Sequence, residues 1–418
     1  MNAPKFPPLR SLEEALEQLL STAKPLGEYE TISTFDADRR VLGTDVVSPL
    51  DVPGFDNSQM DGYALNSLDV REAGVVLQVT QRIPAGHFGK ALEPLSAARI
   101  FTGAPMPPGA DCVVMQEDCQ TVNECEGGVR VNTTPKAGQW VRLRGEDVKQ
   151  GATALSKGEL LTPAALGLAA SLGMNKLLVS RRPRVALFST GDELVMPGEV
   201  MPAQMKPGAI YNSNRFFLRS MLLRAGCEVT DLGIVPDHRE ATVQALQSAA
   251  KSHDLILTSG GVSVGEEDHI KPAVQASGSL DVWSISMKPG KPFAYGRVNR
   301  GSSGFAHFVG LPGNPVSSFV TFLLLVRPLL ARLSGQSGDL SAINSVALRA
   351  DFAPAKPDKR REFLRVKRNE TGGLDLFPNQ NSSVLTSCVW ADGLVDVPAG
   401  HTVAKGDAVR FISFTDLL

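Results

Sequence analysis

Long apolar runs are scarce in this chain of 418 residues. The most prominent, Val316 to Leu330, is broken by Arg327 and Pro328 and falls short of the ~20 residues that a spanning helix needs, so it reads as a buried helix and no membrane association is expected. Excess charge of either sign is also missing. There are 42 Lys plus Arg against 44 Asp plus Glu, a formal net charge of -2, which leaves neither a nucleic-acid footprint nor a polyacidic tail. Cysteines are few and odd in number. Cys112, Cys119, Cys125, Cys227 and Cys388 form no C-x-x-C pair and meet no histidines at zinc-finger spacing, the pattern of reduced thiols in a cytoplasmic setting. The opening MNAPKFPPLR has no apolar core ahead of its prolines, so no signal peptide is expected. There is no Walker A loop and no G-x-G-x-x-G, and no Ser-His-Asp or Cys-His nucleophile suggests itself.

What the chain does have is regional patterning. Its length exceeds what one core supports, and two to four domains of ~100 to 200 residues are expected. Ser11 with Glu14 fits a capping box before Leu12, Ala15, Leu16, Leu19 and Leu20 on one helical face. Short β-like runs separated by Gly and Pro turns occupy residues 46–148, and helix character returns from Thr162 to Gly173. The β-rich domain 46–148 therefore reads as inserted in a framework of residues 1–45 and 149–180. From residue 181 to 333 strands and helices alternate, which implies a mostly parallel, doubly wound α/β sheet with ligands beyond the carboxyl ends of its strands. Residues 334–418 read as a second β-rich domain. The expected fold is thus multidomain α/β plus β.

The glycine loops lie at those strand ends. DLILTSGGVSVGEEDHIK, from Asp254 to Lys271, reads as a strand, a glycine turn and a helix start, where backbone amides favour an oxyanion. Glu266, Glu267 and Asp268 oppose direct phosphate contact unless a hard cation stands between; the same acids also suit a helix N-terminus through its dipole. Two further loops end strands on the same edge, Ser189-Thr190-Gly191-Asp192-Glu193 and Gly310-Leu311-Pro312-Gly313-Asn314-Pro315. With Ser259, Gly260, Gly261 and Ser263 they are expected to enclose one ligand. Asn314 and Pro315 equally make a good N-cap and first helical position. Asp237 is a candidate Mg²⁺ ligand beside Glu193 and Asp268. Lys288 and Lys291, on the proline-stiffened loop Met287-Lys288-Pro289-Gly290-Lys291-Pro292, suit a multiply charged oxyanion.

DNSQMDGYA, RIFTGAPMPPGAD, FSTGDEL, SGGVSVGEEDH, MKPGKPFAYG and GLPGNPVSS occur in this order, and together they resemble the signature segments of molybdopterin molybdenumtransferases, the MoeA and gephyrin E-domain family. The resemblance implies a MogA-like α/β domain, a C-terminal β-barrel-like domain and an elongated homodimer. It also implies insertion of molybdenum from molybdate into adenylylated molybdopterin with Mg²⁺, releasing AMP and molybdenum cofactor. Other cofactor-biosynthesis proteins and acceptor apoenzymes are then expected partners. Carried over by position, Asp61, Thr102, Asp147, Lys288 and Lys291 fall at active-site positions, and Glu193, Asp237 and Asp268 form the acidic set. Arg361, Arg365 and Ser383 fall near functional positions of the last domain. Two other readings remain: an adenylyltransferase of the same α/β architecture, and a gephyrin-like scaffold. The turn Ser259-Gly260-Gly261-Val262-Ser263, where adenylyltransferases look like T-G-G-T-G, argues against the first; the lack of a long linker argues against the second.

Overall fold

The computed structural model describes residues 9–122, 127–236, 238–261, 269–301, 304–352 and 357–417. Its centre is a seven-stranded sheet in the order Leu9–Arg10, Gly278–Ile285, Pro292–Asn299, Phe305–Leu311, Leu255–Ser259, Arg184–Thr190, Glu228–Val235. Strands Phe305–Leu311, Leu255–Ser259, Arg184–Thr190 and Glu228–Val235 are mutually parallel, while Pro292–Asn299 runs antiparallel to both neighbours. Leu255–Ser259 is buried along its whole length, as a strand covered on both faces must be, and its sequence LILTS is accordingly almost all apolar or small.

The two faces have separate cores. One packs helix Ser213–Arg224, through Leu218, Met221 and Leu222, with the segment Pro315–Leu333 against Leu187, Leu257 and Val309. The other packs Arg239–Ala250 and Ile270–Ser277 against Ala186, Phe188, Ile256 and Phe308. Among the described residues only Pro315–Leu333 is long and apolar enough to cross a membrane, and 78% of its apolar window is buried inside the protein, so it is a core helix. It continues through Arg327-Pro328 because a π-type turn over Phe322–Val326 changes the hydrogen-bond register just before the proline that lacks a donor.

The first helix, Leu12–Thr22, carries the expected capping box, with Glu14 N–H donating to Ser11 Oγ at 3.1 Å and Ser11 N–H donating to Glu14 at 2.7 Å. Packing outweighs the cap: buried Leu12, Leu16 and Leu19 contribute roughly 1.5–3 kcal/mol apiece against about 1 kcal/mol for capping. They pack into the α/β core, and Leu9–Arg10 extends the central sheet by pairing with Ser284–Ile285.

Further along, Tyr29–Ser33 pairs with Lys176–Ser180, and Val46–Val47 with Thr153–Leu155, bracketing a six-stranded sheet. That sheet runs Cys112–Met115, Gly62–Leu65, Ser96–Ile100, Val75–Ile83, Gly128–Val131, Cys119–Val122, with apolar clusters of its own around Leu65, Leu77 and Ile100. At the C-terminal end, Arg361–Arg368, Gly373–Leu376, Val346–Ala350, Ala408–Ser413 and Gly393–Val397 close into a five-stranded barrel, the last pairing back to the first. Met287–Lys288, leaving the α/β sheet, pairs in parallel with Arg361–Glu362 on the outside of that ring.

Candidate functional site

The strand order reverses between Arg184–Thr190 and Leu255–Ser259: the chain leaves the first strand toward one side of the sheet and later returns to its other side. A crevice at such a switch point is where open α/β sheets bind ligands. Here it is a cleft of about 780 Å³. Its lining collects the three glycine loops expected from the sequence: Thr190, Gly191 and Glu193; Ser259, Gly260 and Gly261; and Gly313, Asn314 and Pro315. Ser383, from the barrel segment, completes it, and Pro292 brings the lysine loop to its edge.

Backbone geometry explains the glycines. Gly191 has a φ of +139°, and a Cβ there would stand 2.5 Å from Glu193 Oε2, so only glycine lets the carboxylate fold back over the turn. Asn314 occupies the N-cap position with Pro315 behind it, but its carboxamide makes no capping hydrogen bond.

Asn214, which sequence reasoning did not single out, ties the loops together. Its Nδ2 donates to Ser259 Oγ and to the Gly313 carbonyl, each at 2.7 Å, from the first turn of helix Ser213–Arg224. The only signal in the sequence is the run Tyr211-Asn212-Ser213-Asn214, which reads equally as a cap. Asn212 does cap, accepting from Arg215 N–H at 3.3 Å, while its own Nδ2 is buried in the cleft lining without a partner among the described residues.

Asp61 and Thr102 also come together, though not in the cleft lining. Both Thr102 N–H (2.8 Å) and its hydroxyl (2.7 Å) donate to Asp61 Oδ1, and these two bonds hold the carboxyl below the usual carboxylate range. Gly62 beside it is forced by strand approach, since a Cβ would lie 1.9 Å from the Val114 carbonyl oxygen. Asp147 is exposed, its N–H donating to the Val52 carbonyl at 3.0 Å.

The remaining candidates have other partners. Lys288 was expected to hold an oxyanion, but its ammonium is paired with Glu362 (2.8 Å) and Asp358 (3.4 Å), and the Glu362 hydrogen bond raises its pKa against opposing burial. Arg361 forks onto the buried Asp396 at 2.6 and 2.7 Å and also pairs with Glu13, away from the cleft lining. Arg365 is fully buried, and burial draws its pKa down. It donates to Ser387 Oγ (3.2 Å) and to the carbonyls of Phe363 (3.0 Å) and Asn381 (3.5 Å), so it braces the segment that carries Ser383 into the cleft. Lys291 is exposed next to cleft-lining Pro292. Ser263, Asp237 and Asp268 lie outside the described residues. Among the described residues no group of three His, Cys, Asp or Glu side chains forms a metal cluster.

Fold and cleft define a multidomain α/β protein with an open cleft between glycine loops at the switch point of its central sheet. Family models then match almost end to end: the MoeA N-terminal region (domain I and II) over residues 10–173, a probable molybdopterin binding domain over 186–332, and the MoeA C-terminal region (domain IV) over 347–414. A molybdopterin molybdenumtransferase of Haemophilus influenzae is 40% identical over 98% of this chain and 99% of its own, and one of Nostoc is 37% identical over 95% and 91%. A Pyrococcus horikoshii molybdopterin biosynthesis MoeA structure superposes with a TM-score of 0.81 at 26% identity, covering 97% of this chain and all of its own. The chain belongs to the molybdopterin molybdenumtransferase family.

Proposed function

We propose that the chain transfers molybdenum from molybdate into adenylylated molybdopterin, releasing AMP and molybdenum cofactor. The observation that carries this reading is the cleft: three glycine loops and Ser383 converge on one space with backbone and amide donors but little positive charge of its own. Asn212 Nδ2, buried there unpaired, is a donor that a bound ligand oxygen satisfies, and leaving it unpaired costs roughly 1–3 kcal/mol. A phosphoanhydride spans such a cleft with its phosphates toward the loops after Arg184–Thr190, Leu255–Ser259 and Phe305–Leu311.

Glu193 is the acid in the described cleft lining, and one carboxylate beside substrate phosphates and water is a donor set that suits Mg²⁺. Glu193 would hold the ion, with Asp237 and Asp268 proposed beside it. When bound, the ion supplies neutralisation of phosphate charge. Gly191 keeps the Glu193 carboxylate in place, Asn214 locks the Ser259 and Gly313 loops, and Ser383 limits the cleft on the barrel side. Lys291 is proposed to attract molybdate at the cleft edge, with Lys288, tied to Glu362, fixing the loop that presents it. Proximity of two bound reactants then contributes more than any nucleophile.

Asp61, Thr102 and Asp147 are proposed to reach the cleft of a second copy in a two-fold homodimer, because in one chain Asp61 and Thr102 flank strands of a sheet with its own core and Asp147 lies in an exposed bend beyond that sheet. The setting is proposed to be cytoplasmic. Incubation with adenylylated molybdopterin, molybdate and Mg²⁺ is expected to release AMP and active cofactor in a molybdate-dependent manner. Conversion of ATP and molybdopterin into the adenylylated pterin would instead assign the adenylyltransferase reaction.

A further inference from the structure

A second cavity, of about 270 Å³, lies where Arg39–Val41, Arg181–Pro183, the end of helix Ser213–Arg224 and the segment Arg327–Leu333 meet. Its lining is dominated by guanidinium groups: Arg39, Arg40, Arg181, Arg182, Arg224 and Arg327. The acid among the described lining residues, Asp339, is occupied by Ser341 N–H (3.0 Å) and hydroxyl (2.5 Å).

Arg40 and Arg181 are neutralised from outside the cavity. Arg40 pairs with Glu30 at 2.5 Å, and Arg181 with Glu28 at 2.8 Å and the buried Asp254 at 2.9 Å. Arg182 and Arg224 form no ion pair among the described residues, and Arg327 donates to the main-chain oxygen of Asp416 at 3.3 Å. Arg39 in turn donates to the Arg224 carbonyl at 2.9 Å, which brings two cationic side chains to one wall. Burial and then the charge of Arg39 push the Arg327 guanidinium down from its ordinary value. Arg224 in the last turn of its helix suits the helix dipole without any ligand. That accounts for Arg224 but not for Arg182 and Arg327 facing the same small space.

We propose that this cavity is a second anion site, separate from the switch-point cleft, which takes an inorganic oxyanion of the phosphate or diphosphate class. Planar guanidinium forks match such oxygens in pairs, and Arg182 and Arg224 supply them without an ion-pair partner among the described residues, while the single carboxylate of the described lining, Asp339, is turned to Ser341. Size decides the class: pockets for drug-sized ligands run from about 300 to 1,000 Å³, so this cavity suits a small polyanion rather than a nucleotide or a pterin. An anion here bridges the N-terminal framework, the α/β unit and the segment leading to the barrel.

Calorimetric titration of the full chain with inorganic pyrophosphate, in Mg²⁺-free buffer with chloride-matched controls, tests this. The expected result is one pyrophosphate per chain that survives Lys291→Ala in the cleft loop but weakens at least about tenfold with the exposed Arg224→Gln alone and further in Arg182→Gln/Arg224→Gln. Circular dichroism of the variants without ligand should match the unmodified chain. Undiminished affinity and stoichiometry in the double variant, or heats no larger than those of matched chloride, would overturn the proposal.

Discussion

Asp61 and Thr102 are forty-one positions apart, yet two hydrogen bonds make them one unit. Because those bonds favour the ionised carboxylate, Asp61 should stay charged well into the acid range, and Asp61→Asn should lower AMP release by roughly 10- to 100-fold if that charge acts on the reaction. Thr102→Val, which leaves the carboxylate but removes one donor, should cost less; the reverse ranking in steady-state assays would contradict the pairing. His307 offers a test of stability. Its Nδ1 shares a 2.8 Å hydrogen bond with the Tyr295 hydroxyl, and burial lowers its pKa to about 4 from an ordinary 6.5. The folded state therefore binds fewer protons than the unfolded chain between those values. Stability is full above about pH 6.5 and declines as pH falls toward 4, by on the order of 2–3 kcal/mol. Urea unfolding at pH 7 and pH 4.5 should show His307→Gln losing much of that pH dependence; an unchanged pH profile would show that other groups dominate it.

At the scale of elements, what was legible in the sequence is what local pattern encodes. The capping box at Ser11, the largely apolar strand ending at Ser259, and the Asn314-Pro315 helix start were readable because cap, periodicity and breaker residues act within a few positions. Strand Pro292–Asn299 was not expected, since its opening proline and central Gly296 break the β signal, and its antiparallel pairing is decided by neighbours on both sides. Nor does anything near residue 9 announce that Leu9–Arg10 will join a sheet whose partner strand lies some 270 residues later. The three glycine loops were readable as a set because strand ends on one edge must converge. Asn214 was missed because a residue that bridges two distant loops carries no local mark. Arg365 was named from the resemblance, but its burial in the barrel, with a hydroxyl and carbonyls as its hydrogen-bond partners, is visible only in three dimensions. Arg365→Met should lower stability by roughly 1–3 kcal/mol through the carbonyls and hydroxyl it leaves unpaired. It should also raise the KM for the adenylylated pterin by loosening the segment that carries Ser383. Loss of stability with an unchanged KM would confine Arg365 to the barrel core. Gly191→Ala should displace Glu193 and raise the Mg²⁺ needed for half-maximal rate; an unchanged requirement would separate that carboxylate from the ion.

On the scale of the whole molecule, the N-terminal sheet and the central sheet keep separate cores, whereas the first helix, the α/β sheet and part of the barrel share one. The cleft and the Asp61–Thr102 pair therefore sit on units that one chain does not join through a common core, and in the homodimer we propose a two-fold partner would supply the missing half of each site. The direct test mixes two variants, Asp61→Ala and Glu193→Gln, each expected to be inactive alone. After subunit exchange, confirmed by native mass spectrometry, a heterodimer retains one intact site, so statistical mixing should restore about a quarter of unmodified molybdate-dependent AMP release. Confirmed exchange with no recovery would contradict the shared site.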